Sequence, residues 1–131
     1  MDVKLLTGTN LAYIGDAYYE LYIRNYLLNK GITKARELTK TKIKYVSAHA
    51  HSYIFHQLEP MLNSMEMEYY KKGRNAKTKS HRKNVDVSEY NTSSGLESLI
   101  GYLYLTQQKA RLEEIMLKII EIVENQDENL R

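Results

Sequence analysis

A chain of 131 residues, 43% hydrophobic and 27% charged, suits one domain with a real core and leaves little room for a second module. Its composition is neither collagen-like nor disordered, and the absence of cysteine excludes a disulfide framework and thiolate-held metal while fitting a reducing compartment. The net charge of +3 is modest but uneven. Residues 71–83, KKGRNAKTKSHRK, hold seven Lys or Arg and no acid, whereas 113–128 hold six acids against one Lys. The first stretch is a candidate polyanion contact; the second reads as an exposed helix face. The amino terminus, MDVKLLTGTN, lacks a long apolar core, and nowhere do about eighteen apolar residues run together, so neither export nor membrane spanning is supported. The expectation is a soluble, cytoplasmic protein.

Helical signals dominate, and the expected class is all-α with about six to seven helices. Residues 11–29 place Leu11, Ile14, Ala17 or Tyr18, Leu21, Tyr22 and Leu28 near helical spacing, with Asn10 as cap and Gly31 past the end. A short helix follows over KARELTK, then a longer one from about Ile43 to Leu58, stopped by Pro60, the only proline. Residues 63–72, NSMEMEYYKK, form the next helix, capped by Asn63 or Ser64 and ended by Gly73. From Arg74 to Asn91 there is no periodicity; a polar connection of that length suggests a functional loop. Two helices close the chain. One begins near TSSGLESLIGYLYLTQ with Leu96, Leu99, Ile100 and Leu103 on one face; the other is ARLEEIMLKIIEIVEN with Leu112, Ile115, Ile119, Ile122 and Val123.

Two acids stand out. On the first helix Asp16 lies in a strip with Ala12 and Tyr19 beside the apolar face, and on the helix after the basic stretch Glu97 neighbours Ile100 and Tyr104. Gly15 precedes Asp16, and Gly95 and Gly101 flank Glu97. Glycine inside a helix costs about 1 kcal/mol relative to alanine, so its presence here suggests close helix packing. A crossing at that point brings the acids together, and paired carboxylates are what a hard cation such as Mg2+ needs. Capping, salt bridging and plain exposure are the alternatives that spacing leaves open.

A resemblance sharpens this reading. YIGDAYYEL is similar to the signature of the ribonuclease III family, usually close to LEFLGDAVLEL, and GLESLIGYLYL resembles that family's second acidic motif, close to EALIGAIYL. Three further features resemble the small branch called Mini-ribonuclease III: a chain with no appended double-stranded-RNA-binding domain, the phrase KKGRNAK, and KNVDVSEY after it. The resemblance spans nearly the whole chain. It implies one catalytic domain over residues 1–131, a ribonuclease III-like helical bundle acting as a homodimer on an RNA duplex. Asp16 and Glu97 would hold Mg2+, which orients water for in-line attack on the phosphodiester and stabilises charge on the leaving 3′ oxygen, giving 5′-phosphate products. It further implies a substrate stem in the precursor of large-subunit (23S) ribosomal RNA, with a large-subunit ribosomal protein as a candidate partner in presenting it.

Full-length members carry a glutamate four residues before the aspartate and an aspartate three residues before the second glutamate, where this chain has Ala12 and Ser94. Those losses put the metal count in question and motivate a rival reading, a catalytically inactive double-stranded-RNA-binding protein of the same fold; a helical scaffold for protein partners is a third. Glu20, one turn beyond Asp16, reads as a helix-face acid pairing with Arg24. Lys71, Lys72, Arg74, Lys77, Lys79, Arg82 and Lys83 suit a reader of duplex shape, because regular phosphates and 2′-hydroxyls ask for flexible cations more than base-specific side chains. The other unusual residues read as structural. Tyr13, Tyr18, Tyr22 and Tyr26 suggest packing or a dimer seam. His49, His51 and His56 lack the i, i+4 spacing of a zinc site and read as surface or packing residues. Met61, Met65, Met67 and Met116 read as core filler.

Overall fold

The structure, a computed structural model, describes residues 1–76 and 86–129. Six α-helices account for most of the described residues, and there is no strand among them: α1 Gly8–Asn29, α2 Ala35–Val46, α3 Ala48–Leu58, α4 Ser64–Arg74, α5 Val87–Leu105 and α6 Lys109–Asn129. Short 3-10 turns precede α1 and follow α3. The all-α expectation and the helix count both hold.

α5 is the central element, touching α1, α3, α4 and α6. Its predicted face of Leu96, Leu99, Ile100 and Leu103 is wholly buried, as are Leu112, Ile115, Ile119, Ile122 and Val123 of α6. Along α1 the buried residues are Gly8, Leu11, Gly15, Tyr19, Ile23 and Leu27, a stripe repeating every three or four residues. The expected face was rotated from this one: Ala17 is exposed, and so are Leu21 and Leu28. α1 is apolar almost all round, so periodicity alone does not select a face. Close approach does: a methyl group at Gly15 would run into the Glu97 carbonyl oxygen, and one at Gly101 into the Leu11 carbonyl. The two helices therefore cross backbone to backbone where the sequence carries glycine.

Local chemistry explains the other boundary differences. Thr7, not Asn10, is the N-cap of α1, and the two form a reciprocal capping box. The continuous helix expected over 43–58 is broken at Ser47, whose extended backbone ends α2 and whose Oγ accepts from the Ala50 N–H at 3.0 Å to start α3. Asn63 caps α4 in a box with Glu66, but Gly73 lies inside that helix. Its missing side chain lets α4 press on Ser94 and Ser98 of α5. Asp86 caps α5, so residues 87–91, expected as loop, are helical. Met116 is buried, and Met61 and Met67 pack partly buried against the core, whereas Met65 is 49% exposed and fills nothing. Tyr18, Tyr22 and Tyr26 pack against the core, and the Tyr22 and Tyr26 hydroxyls donate to Glu113 and Glu124 of α6 at 2.8 and 2.9 Å. No helix among the described residues is long and apolar enough to cross a membrane.

Candidate active site

The α1–α5 crossing that excludes side chains at Gly15 and Gly101 also fixes the residues next to them. Asp16 projects from α1 on the exposed side of the crossing, and Glu97 projects half-buried from α5. Their carboxyl groups lie within hydrogen-bonding reach, across about eighty residues of sequence. Burial, reinforced by the adjacent Asp16 carboxyl, pushes Glu97 up to about 9, while a hydrogen bond from Ser93 pulls the other way. Without a cation, the pair therefore holds a proton at neutral pH.

Chemically, this is a donor set for a hard divalent cation. Two carboxyl groups are held together, one open to solvent, and a cation would relieve the repulsion that otherwise requires a proton. Among the described residues no group of three or more His, Cys, Asp or Glu side chains completes a fuller cage. Glu20 is not available to extend it. Arg24 binds its Oε1 at 2.9 Å, as expected, and Lys42 of α2 binds the same oxygen at 2.6 Å, which sequence reasoning missed. Burial pushes Glu20 up, but the hydrogen bonds from Lys42 and Arg24 outweigh it and hold the group below the usual carboxylate range. Ser94, where fuller members carry an acid, has its backbone carbonyl against Gly73 of α4.

A third helix reaches the pair from behind. His51 of α3 is 2% exposed, and its Nδ1 lies 2.7 Å from Ser93 Oγ, the same hydroxyl that serves Glu97. Tyr19 of α1 packs edge-on against the His51 ring at 4.8 Å and donates its hydroxyl to the Tyr45 carbonyl at 2.6 Å. His49 and His56 are exposed, and His49 pairs with Glu89 at 2.6 Å, so the packing-or-surface reading holds for all three histidines. The position of His51 behind the acids was not anticipated. Ser93 could have been found, since it precedes Glu97 by one helical turn; nothing in the spacing of His51 points to α5.

Of the expected cationic contacts, Lys71, Lys72 and Arg74 form the last turn of α4, where positive charge also favours the helix terminus. Lys71 and Arg74 are exposed. Lys72 donates to the Lys4 carbonyl at 3.2 Å and lies over the Tyr69 ring, and Arg74 lies over Tyr70. Because Gly73 packs on Ser94 and Ser98, this turn is anchored to the stretch of α5 that carries Glu97. Lys77, Lys79, Arg82 and Lys83 lie outside the described residues.

The sequence matches the ribonuclease III domain over residues 9–108, a span that contains the α1–α5 crossing and both acids. The chain therefore belongs to the ribonuclease III family of endoribonucleases. Within it, the chain is 49% identical over 117 residues to the Mini-ribonuclease 3 of Enterococcus faecalis, covering 88% of this chain and 89% of that one. It is 40% identical over 129 residues to the Mini-ribonuclease 3 of Clostridium tetani, covering 98% and 85%. A crystal structure of a protein from Fusobacterium nucleatum has the same fold, with a TM-score of 0.80 at 30% identity over 92% of this chain and 96% of that one.

Proposed function

We propose that this chain is a Mg2+-dependent endoribonuclease that cuts double-stranded RNA and leaves 5′ phosphates, with Asp16 and Glu97 as catalytic metal ligands. The observation that carries the reading is the pairing of those two carboxyl groups across the α1–α5 crossing, one of them exposed to an incoming phosphate. A divalent cation bound there supplies Lewis-acid stabilisation of the charge that develops on the phosphodiester and a water acidic enough to attack it. The chain's own residues do the rest. Asp16 and Glu97 hold the acidic cluster at a fixed separation because the glycine-lined crossing leaves no slack, and Ser93 orients the Glu97 carboxylate. Lys71, Lys72 and Arg74, with Lys77, Lys79, Arg82 and Lys83 in the following segment, take phosphates of the duplex by charge and not by sequence.

The reading extends to a homodimer, one catalytic domain over residues 1–131 per protomer. Tyr13, Ala17, Leu21 and Leu28 support it: they line the outer side of α1, and Tyr13 is 83% exposed, Leu21 69% and Leu28 53%, an apolar stripe that a second copy would cover. The relatives' names support ribonuclease activity, the compartment we propose for it is the cytoplasm, and the branch resemblance supports a stem of 23S ribosomal RNA precursor as substrate, presented with a large-subunit ribosomal protein. The test incubates purified protein with a duplex RNA, with Mg2+ or with chelator, beside Asp16→Asn. Cleavage lost in the variant while duplex binding persists is the expected result. Binding without cleavage in every sample would support the silent RNA-binding domain that Ala12 and Ser94 motivate; no binding at all would leave the scaffold.

A further inference from the structure

Behind the two acids lies a buried polar chain that metal ligation alone does not account for. His51 is enclosed by the hydrophobic core, with Tyr19 against its ring, and its only hydrogen bond of ordinary geometry among the described residues is from Nδ1 to Ser93 Oγ at 2.7 Å. Nε2 is buried without such a partner; it faces toward the Tyr45 carbonyl, which already accepts the Tyr19 hydroxyl at 2.6 Å. A core position that needed only volume would be filled more favourably by leucine or phenylalanine, because a buried polar atom without a partner is costly. Burial keeps the ring neutral, pushing it down to about 4 even though Asp16, the Tyr45 carbonyl and Glu20 pull it up.

Resting on the reading of Asp16 and Glu97 as metal ligands, we propose that His51 is a positioning residue that acts through Ser93 to hold the Glu97 carboxylate in its cation-binding orientation. Proton counting gives the direction. A serine hydroxyl has one proton. In the metal-free protein, where Glu97 keeps its own proton, the ring proton sits on Nε2 toward the Tyr45 carbonyl and Nδ1 accepts from Ser93. When Glu97 is an anion holding a cation, Ser93 must donate its proton to the carboxylate, so its oxygen must accept from His51, and the ring proton moves to Nδ1. α3 supplies His51, α5 supplies Ser93 and Glu97, and α1 supplies Asp16, so a single line of polar groups, begun by the 2.7 Å His51–Ser93 hydrogen bond, ties three helices to the site. Groups that orient a metal ligand in this way typically change metal affinity or activity by about 10- to 100-fold when removed.

The experiment compares wild type, Ser93→Ala, His51→Phe, the double variant, and His51→Asn, whose amide nitrogen can occupy the Nδ1 position. Folding is checked by thermal melting in chelator, and Mg2+ affinity by calorimetry, independently of turnover. Ser93→Ala and His51→Phe should each raise the Mg2+ dissociation constant about tenfold or more and lower kcat, with the KM for duplex RNA unchanged. The double variant should be no worse than either single one, since both cut the same line, and His51→Asn should recover most of the affinity. In Mg2+-saturated wild type, nitrogen NMR of the His51 ring should show the Nδ1-protonated tautomer. Folded single variants with wild-type Mg2+ affinity and kcat, additive losses in the double variant, or an Nε2-protonated ring would each overturn the proposal while leaving Asp16→Asn inactive and the nuclease reading intact. Wild-type protein that neither binds Mg2+ nor cuts duplex RNA would overturn that reading first and this one with it.

Discussion

Two glutamates in this fold, Glu66 buried and Glu97 half-buried, have opposite electrostatics. Glu66, 1% exposed at the start of α4, is fully compensated. Arg111 of α6 reaches its two oxygens at 2.8 and 2.9 Å, and the Asn63 N–H donates at 3.0 Å. Burial pushes Glu66 up, but Arg111 and the Asn63 backbone outweigh it and leave the carboxyl below the usual range. Glu97 of α5 has a serine and another acid for neighbours, and is raised to about 9. One carboxylate is built into the fold as an anchor between α4 and α6; the other is held where its charge is unwelcome until something positive arrives. The contrast supports a structural role for Glu66 and the cation-holding role proposed for Glu97 without reference to any relative.

Removing charge should therefore act in opposite directions at the two places. Glu97→Gln should lower duplex-RNA cleavage by at least about a hundredfold, the scale on which a group stabilising transition-state charge is felt. It should also leave the metal-free protein as stable as before or more so, read by thermal melting in chelator. A Glu97→Gln protein that melts well below wild type would mean that this acid is an anchor as well. Arg111→Met is the counterpart. It leaves Glu66 buried and unpaired, which should cost about 3–5 kcal/mol in urea unfolding, while kcat of the remaining folded protein stays close to wild type. Replacing both partners with apolar residues should recover much of that loss, because what is expensive is the orphaned charge.

The pH dependence should split the same way. A carboxyl whose folded value is raised from 4.5 to about 9 contributes stability that is present below its unfolded value and is lost as pH rises toward the folded one. Metal-free protein should lose melting temperature between about pH 6.5 and 9, above the range in which His51 offsets the loss at Glu97, and Glu97→Gln should flatten that limb; a shift of about 1 kcal/mol is worth about 4 °C in a domain of this size. Glu66 has the reverse sign. Its lowered value gives stability that is present above the unfolded carboxylate range and disappears as pH falls. His51, lowered from 6.5 to about 4, likewise contributes above 6.5 and is lost toward 4. A melting profile flat from pH 6.5 to 9 in chelator would break the comparison at Glu97.

The Glu97 half of this contrast was more legible in the sequence than the Glu66 half, for a physical reason. Glycine and aspartate inside an apolar helix are locally unfavourable, so Gly15, Asp16 and Gly101 stand out against helix propensity, and Glu97 stands out as an acid in an apolar stretch; the crossing they make follows from that conflict. The core faces of α5 and α6 were readable because their polar residues mark the other side. α1 was not, since Leu21, Leu28 and Tyr13 are as apolar as the residues that face inward, and which stripe is buried was decided by backbone approach at Gly15. The links of Glu66 to Arg111, His51 to Ser93 and Glu20 to Lys42 join residues far apart in the chain with no periodic signature. Ser47 was lost inside an otherwise helical stretch because a serine shows itself as a cap only when the chain turns there.

The smallest expected effect settles which side of the comparison Glu20 belongs to. It sits one turn from Asp16, close enough to be mistaken for a third member of the acidic pair, yet Lys42 and Arg24 both bind its Oε1. Its carboxyl is lowered, as that of Glu66 is, and not raised like that of Glu97. Glu20→Gln should keep kcat within about twofold of wild type and cost less than about 1 kcal/mol in urea, the scale of partly exposed pairs. Lys42→Met should have a similarly small effect on stability, since Arg24 still pairs with the acid. A loss of cleavage at Glu20→Gln approaching that of Glu97→Gln would move it into the cation site, and would mean that in the working enzyme the carboxylate leaves Lys42 and Arg24 to turn toward Asp16.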